Sequence, residues 1–161
     1  MSSQKMKLRL ASNPQPLLAA CMLTPRWRQI RSLKLRLEEQ GRIGESLAAW
    51  LEQQGDVVHE VAHPSLASHP HHDRWQRTYS GSGPTFGFRI QPGEAAMSAF
   101  MDGFRVIAIG NAQGGEFSCA WPHSVEVGGP EDGWVVLYVG LESDEEVRRD
   151  LEEGLQRLRD L

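Results

Sequence analysis

The feature that most constrains the fold is an uninterrupted run of apolar residues from Trp134 to Val139 (WVVLYV). A continuously apolar strand is typical of a buried position in a sheet. Three other segments are predicted strands: Val57–Ala62, the alternating Thr85–Gln91 (TFGFRIQ), and Phe104–Ile109 (FRVIAI), which is rich in β-branched residues. The chain therefore has to build a sheet and to cover its apolar residues.

Helical periodicity supplies that cover. From about Pro25 to Gln54 the apolar residues recur mainly every three or four positions, which predicts one long helix or two abutting helices, with Gly55 at the end. A short helix is predicted over Glu94–Met101. The final helix is predicted to open with a capping box that begins at Ser143 (SDEE).

The order of these segments predicts an α+β fold. We expect a long N-terminal helix, followed by a three- to four-stranded, mostly antiparallel sheet that helices cover on one side. A chain of 161 residues suits one domain with a real core. We expect residues 1–25 to form an irregular basic segment and residues 26–161 to form the domain.

Composition excludes several classes of protein. No run of 18 apolar residues is present, so no membrane contact is expected, and a net charge of -4 argues against a dedicated nucleic-acid binder. Two cysteines and no secretory signal favour a reducing, cytoplasmic location.

The positive charge is concentrated near the N-terminus. Residues 1–37 carry eight Lys or Arg and no acidic residue. Either this region contacts phosphate or an acidic partner, or it is a solvated helix face with a loose end.

A dense group of histidines is the most conspicuous candidate for a metal site. Four histidines lie within residues 63–72, with His59 upstream and Asp73 downstream, and imidazoles with a carboxylate can bind Zn, Ni or Cu. The spacing fits no standard zinc pattern, however, and no cysteine is near. We therefore predict no metal site at His63, His69, His71 and His72.

Other candidates for chemistry are weak. Cys119 (FSCAWP) has no activating neighbour in the sequence, so it is interpreted as a small buried residue. Lys34 lies in a basic helical run with no sign of a dry pocket, so it is not expected to form an imine. The loop Gly110–Glu116 (GNAQGGE) is either an anion-binding turn or a plain turn, and it lacks the ending of a P-loop. No catalytic residue is predicted.

Six segments in the same order carry a family resemblance. The helical segments Arg28–Leu37 (RQIRSLKLRL) and Leu47–Leu51 (LAAWL) look like R-G-L-R-T-L-x-x-R-L and V-A-E-W-L. The segments His63–His72 (HPSLASHPHH) and Ser80–Phe88 (SGSGPTFGF) look like H-P-x-L-x-S-H-P-x-H and T-G-S-x-G-L-F-S-F. Gly114 and Gly115 stand where S-x-G-G would end, and LYVGLE at 137–142 resembles L-H-I-G-L-E.

These matches, collinear over roughly residues 26–161, resemble the C-terminal small domain of the PLP-dependent cystathionine β-lyase and cystathionine γ-synthase family, the fold-type I enzymes of Cys/Met metabolism. The resemblance implies a sheet with packed helices, attached through the long helix to a large cofactor domain. It also implies that the PLP lysine, the pyridine-nitrogen aspartate and the phosphate loop belong to that large domain. We therefore expect no cofactor in this chain, and PLP only if a partner chain supplies the large domain.

The sequence departs from the family pattern at positions that, by resemblance, contact the substrate. The family's small domain offers an arginine for the substrate carboxylate, in L-I-R-L-H-I-G-L-E, and Val136 stands at that position. The serine of S-x-G-G is replaced by Ala112, and Gln113 follows it. Ala112, Gln113 and Val136 are thus degenerate substrate-binding positions.

Three functional hypotheses remain open. The first is a stand-alone cystathionine β-lyase-like domain without catalysis by itself, which acts as a binding or subunit-interaction module, either as a homodimer or with a protein that bears a PLP large domain. The second is one subunit of a split PLP-dependent carbon–sulfur lyase. The third is a gene fragment without a role. Trp27, Trp75 and Trp121 are either part of an interaction surface or packed in the core.

Overall fold

The computed structural model describes residues 15–111, 113–123 and 132–161, with the backbone alone for residues 15–29. The described chain is α+β, as predicted. Its elements in order are α1 (Gln15–Glu52), β1 (Val58–Ala62), α2 (His72–Thr78), β2 (Thr85–Ile90), α3 (Glu94–Met101), β3 (Ala108–Ile109), β4 (Cys119–Pro122), β5 (Trp134–Tyr138) and α4 (Asp144–Arg159).

The long helix starts earlier than predicted. Because α1 begins at Gln15, residues 15–25 are helical and not irregular, while residues 1–14 lie outside the described residues. The structure divides the chain between Leu35 and Arg36, and the whole sheet and the three later helices lie in the part from Arg36 onward. No helix of the described residues is long and apolar enough to cross a membrane.

The sheet has five strands, one more than the upper prediction, in the order β1-β2-β5-β4-β3. Three neighbouring pairs are antiparallel, and β3 with β4 is parallel, so the sheet is mixed. The sequence did not reveal β4, which is four residues long and ends in a proline. The apolar β5 lies at the centre of the sheet. The outermost strand β1 has a register shift between Val58 and Glu60 where it pairs with β2.

One face of the sheet forms the core. Phe86 and Phe88 of β2 pair with Leu137 and Val135 of β5, and all four are buried. They belong to the same hydrophobic cluster as residues of three helices, among them Ile43, Leu47, Leu51, Met97, Phe100, Val147, Leu151 and Leu155. Several alternate residues of β2 and β5, and residues that pair with them on β1 and β4, are only half-buried and stand outside this cluster. We call them the open face: Ala62, Gly87, Arg89, Trp121, Trp134 and Val136.

The last helix packs closely on α3. A Cβ added at Gly154 would meet the Phe100 carbonyl oxygen at 2.7 Å and the Phe100 ring at 2.8 Å, so only glycine fits this crossing. The predicted capping box is present, because the Ser143 side chain accepts a hydrogen bond from the Glu146 backbone N–H and Glu146 accepts one from Ser143 N–H. The helix start is thereby fixed where the sequence indicates it.

A buried carboxylate explains why the predicted strand at 104–109 is short. Asp150 of α4 is 4% exposed, and its Oδ2 accepts hydrogen bonds from the backbone N–H groups of Arg105, Val106 and Ile107 at 2.8, 2.7 and 2.9 Å. These donors are therefore satisfied by a side chain and not by a neighbouring strand. Only Ala108 and Ile109 remain to pair with β4.

We predict that Asp150→Ala lowers the free energy of unfolding by about 2–3 kcal/mol, because three backbone donors lose a charged acceptor. The measurement is urea denaturation of the full chain. Glu152→Ala, an exposed acidic position of the same helix, is the matched control and should stay within about 0.5 kcal/mol of the wild type. Equal stability of the two variants would contradict the anchoring role of Asp150.

Candidate functional site

Val136 lies at the centre of the open face. It belongs to β5 and is directly opposite Gly87 of β2 on one side and Trp121 of β4 on the other. The side chain is half-buried. Because Gly87 has no side chain, the indole of Trp134 packs close to it. A Cβ added at Gly87 would lie 3.4 Å from the Trp134 ring. The centre of this face is thus aliphatic and aromatic, without a cation at Val136.

The loop 113–118 is held at Gly115. The carbonyl oxygen of Gly115 accepts hydrogen bonds from the Tyr138 hydroxyl at 2.8 Å and from Gln40 Nε2 at 3.2 Å. Gln40 Nε2 also lies 3.2 Å from the Tyr138 hydroxyl, and both side chains are buried. The loop is thereby fastened to α1 and to the end of β5. Gln113 is exposed in this loop, and Ala112 lies outside the described residues.

A second set of hydrogen bonds fixes the end of the same loop. Glu142 accepts hydrogen bonds from the backbone N–H and the hydroxyl of Ser118 at 2.9 and 2.7 Å. The Ser118 Oγ in turn accepts from the Gly140 N–H at 2.8 Å. There is no room for a side chain at Gly140, since a Cβ would lie 2.5 Å from the Glu116 carbonyl oxygen. The loop and the segment after β5 therefore form one packed unit.

Three exposed apolar side chains lie in this loop or on segments that are hydrogen-bonded to it. Phe117 is 74% exposed and Leu141 is 41% exposed, and the Leu141 N–H donates to the Glu116 carbonyl oxygen at 2.8 Å. Leu37, 42% exposed, lies one helical turn before Gln40 on α1. We call Leu37, Phe117 and Leu141 the loop patch.

The histidine segment is split between core and surface. His63 is 1% exposed, its Nδ1 accepts a hydrogen bond from the Ser65 N–H at 3.2 Å, and its ring packs edge-on against Phe86. His69, His71 and His72 lie at or near the surface. Within the described residues no group of three or more His, Cys, Asp or Glu side chains is placed to hold a metal ion.

Burial lowers the pKa of the His63 imidazole below its ordinary value of 6.5. The carboxylate of Glu45 opposes this shift in pKa, and His69 adds to it. The neutral ring suits the role of His63 as an acceptor in the interior.

The remaining candidates have structural positions. Cys119 is buried in β4, as predicted. Trp75 and Trp121 are half-buried, and the side chain of Trp27 lies outside the described residues. Lys34 is exposed on α1.

The described residues offer no lysine suited to binding PLP covalently. Lys34 is the one lysine among them, and it does not line any of three surface grooves of about 280, 470 and 320 Å³. A lysine that binds this cofactor covalently needs a desolvated or otherwise activated amine, which an exposed helix position does not offer.

Sequence reasoning missed the residues that hold the loop. Gly140 and Glu142 were visible as part of a quoted motif, but their role was not. Tyr138 was visible only as a residue of the central strand and of the same motif, and Gln40 carried no signal, because a hydrogen bond between residues 98 positions apart leaves no local pattern.

Comparisons with known proteins agree with this architecture. Residues 14–156 match the family described as Cys/Met metabolism PLP-dependent enzyme. A putative cystathionine β-lyase of Rhizobium johnstonii is 32% identical over 79% of this chain and 34% of its own length. The cystathionine β-lyase of Haemophilus influenzae is 30% identical over 81% of this chain and 36% of its own length. The chain thus spans about a third of these relatives.

Solved structures show the same similarity. The crystal structure of cystathionine γ-synthase from Xanthomonas oryzae pv. oryzae, in complex with aminoacrylate and cysteine, aligns with a TM-score of 0.75 and 31% identity. The alignment covers 83% of this chain and 37% of that chain.

We predict that His63 makes the fold sensitive to acid. Because its pKa is lower in the folded state, the unfolded chain binds the proton more readily, so stability is full above pH 6.5 and falls as the pH drops below it. The loss is at most about 1.4 kcal/mol per pH unit from one group. His63→Asn keeps an acceptor and removes the titration, so its stability should fall less between pH 7.5 and 5.5, as measured by urea denaturation.

The control for this experiment is His59→Asn, since His59 is exposed on β1. Its stability should follow the wild-type dependence on pH. Parallel curves for the wild type and His63→Asn would show that His63 does not cause the sensitivity.

Proposed function

Because the chain belongs to the Cys/Met metabolism PLP-dependent enzyme family, we propose that it is the C-terminal small domain of a cystathionine β-lyase-like, fold-type I protein. As such it acts as a binding or subunit-interaction domain and has no PLP catalysis of its own. The single observation that carries this proposal is Val136, an aliphatic side chain at the centre of the open face.

The chemistry of that position explains the proposal. The family resemblance implies an arginine there, whose planar guanidinium would pair with a carboxylate through two hydrogen bonds. Valine makes no such bond, and a buried carboxylate without a partner is unfavourable by several kcal/mol. Ala112 stands where the resemblance implies a serine, and Gln113 follows it. We propose that these three positions no longer orient an amino acid.

The loop patch supports an interaction role. Leu37, Phe117 and Leu141 expose large apolar surface beside a loop that two sets of hydrogen bonds hold in place. An exposed apolar surface on a rigid support is typical of a protein contact. In this proposal the partner is a second copy of the chain or a protein with a PLP large domain.

A second candidate function is a split carbon–sulfur lyase whose PLP domain lies on another polypeptide. The observation in its favour is the anchoring of loop 113–118 by Gln40, Tyr138 and Glu142. Such a fixed loop would help to close a site against a partner. A substrate without an α-carboxylate would account for Val136. An adjacent reading frame that encodes a PLP domain would favour this candidate.

We predict that the chain self-associates through the loop patch. In sedimentation velocity over a concentration series, the wild type should dimerise, and Phe117→Ser with Leu141→Ser should weaken the dimer at least about tenfold, since two buried apolar side chains contribute about 1.5–3 kcal/mol each. The control is Ile109→Ser, because Ile109 is 59% exposed on β3. Equal association of both variants would refute the role of the patch. If the wild type stays monomeric, a second copy of the chain is excluded as the partner, and the proposed partner is a protein with a PLP large domain.

We also predict that the chain alone, incubated with PLP and cystathionine, releases neither pyruvate nor ammonia. The assay is colorimetric detection of both products, and the positive control is a complete cystathionine β-lyase. Turnover that disappears in Lys34→Ala would overturn the proposal. Turnover that appears only after addition of a separate PLP large-domain chain would select the split lyase.

A further inference from the structure

We propose that a groove between the segment 64–71 and α2 binds a small ligand that joins a phosphate monoester to a planar ring. The groove has a volume of about 320 Å³, and its lining includes His69, His71, Arg74, Trp75 and Tyr79. It shares no residue with the loop patch or with the open face. This proposal is therefore independent of the proposed function.

The polar side chains of the groove favour an anion. Arg74 is a permanent cation with several N–H donors, and His69 and His71 each carry at least one ring donor. The hydroxyls of Thr78 and Tyr79 add further donors. Among the described residues that line the groove none is acidic. An anion in the groove therefore meets donors and one fixed positive charge, with no carboxylate in the described lining.

The number of donors suits a phosphate monoester better than a carboxylate. One guanidinium and two imidazoles offer separate donors to the three terminal oxygens of a phosphate, whereas a carboxylate has only two oxygens. The rings of His69 and His71 lie 5.9 Å apart between centroids. The His71 backbone N–H donates to His69 Nδ1 at 3.2 Å, so the neutral His69 ring carries its hydrogen on Nε2 and keeps a donor.

The aromatic residues favour a ring on the ligand. Trp75 is half-buried and Tyr79 is 64% exposed, and both line the same groove. Aromatic side chains bind planar rings through offset stacking. The groove also has the size of a small-molecule site.

Contacts within the protein hold the two walls together. The His72 Nδ1–H donates to the Pro64 carbonyl oxygen at 3.0 Å, which joins the segment before the groove to α2. The His72 ring lies 5.8 Å from the Trp75 ring. The Tyr79 N–H donates to the Trp75 carbonyl oxygen at 2.9 Å. The groove is thus a formed feature of the fold.

The test is isothermal titration calorimetry of the full chain with four probes: adenosine 5′-monophosphate, pyridoxine phosphate, inorganic phosphate and adenosine. We expect at least one of the two ring phosphates to bind more tightly than inorganic phosphate, and adenosine to bind weakly. The ring phosphate that binds more tightly shows whether the groove prefers a purine ring or a pyridine ring. Absence of heat with both ring phosphates at millimolar concentration would overturn the proposal.

Two variants separate this groove from general charge attraction. Arg74→Gln should weaken binding of the better ring phosphate by about tenfold or more, because a charge-assisted contact is lost. Arg77→Gln removes the same charge from α2 at a residue outside the lining, and it should change affinity less than about threefold. Equal losses in the two variants would overturn the proposal. Circular dichroism of both variants checks that α2 is retained.

Trp75→Leu tests the contribution of the ring. It should weaken binding of the ring phosphate and leave the affinity for inorganic phosphate unchanged, since only stacking is removed. If Trp75→Leu weakens both ligands equally, the ring-binding part of the proposal is wrong.

Discussion

The position of β5 at the centre of the sheet is the constraint on which the rest depends. It pairs with β2 on one side and β4 on the other, and its alternate residues lie on opposite faces of the sheet. Val135 and Leu137 are fully buried with the helices, whereas Trp134 and Val136 lie on the open face. A shift of one residue in this pairing would exchange the two sets, and burial of the apolar cluster prevents it.

The same strand connects the core to the proposed site. Tyr138 ends β5 and holds Gly115, and the segment that follows brings Gly140 and Glu142 onto Ser118. The loop 113–118 is therefore anchored to the end of β5 and to the segment that follows it, two residues beyond Val136. The anchored loop beside an aliphatic Val136 is the combination on which we base the proposal that the domain no longer orients an amino acid.

Local patterns predicted the parts of the fold that local interactions determine. Trp134–Val139 gave the central strand, and the Ser143 capping box gave the start of α4, because both depend on neighbouring residues. The strand predicted at 104–109 was wrong over most of its length, since Asp150 takes its backbone donors from more than 40 positions away. The helical state of residues 15–25 was also missed, because the helical periodicity of the apolar residues was recognised only from about Pro25 onward.

The site was predictable only in part for the same reason. The position of Val136 followed from a motif, and the structure places it between Gly87 and Trp121. The histidine segment, which looks uniform in the sequence, has one member in the interior and the others near the surface. Periodicity gives no such distinction inside a loop with two prolines, where the burial of each side chain depends on distant elements.

The two outermost strands bear on how this protein behaves at high concentration. The pairing of β1 with β2 shifts register between Val58 and Glu60, and β3 at the other end is only two residues long. Long, regular, unpaired strands are what recruit further chains into growing fibrils. Neither border of the sheet formed by the described residues offers such a template, so this architecture disfavours runaway polymerisation.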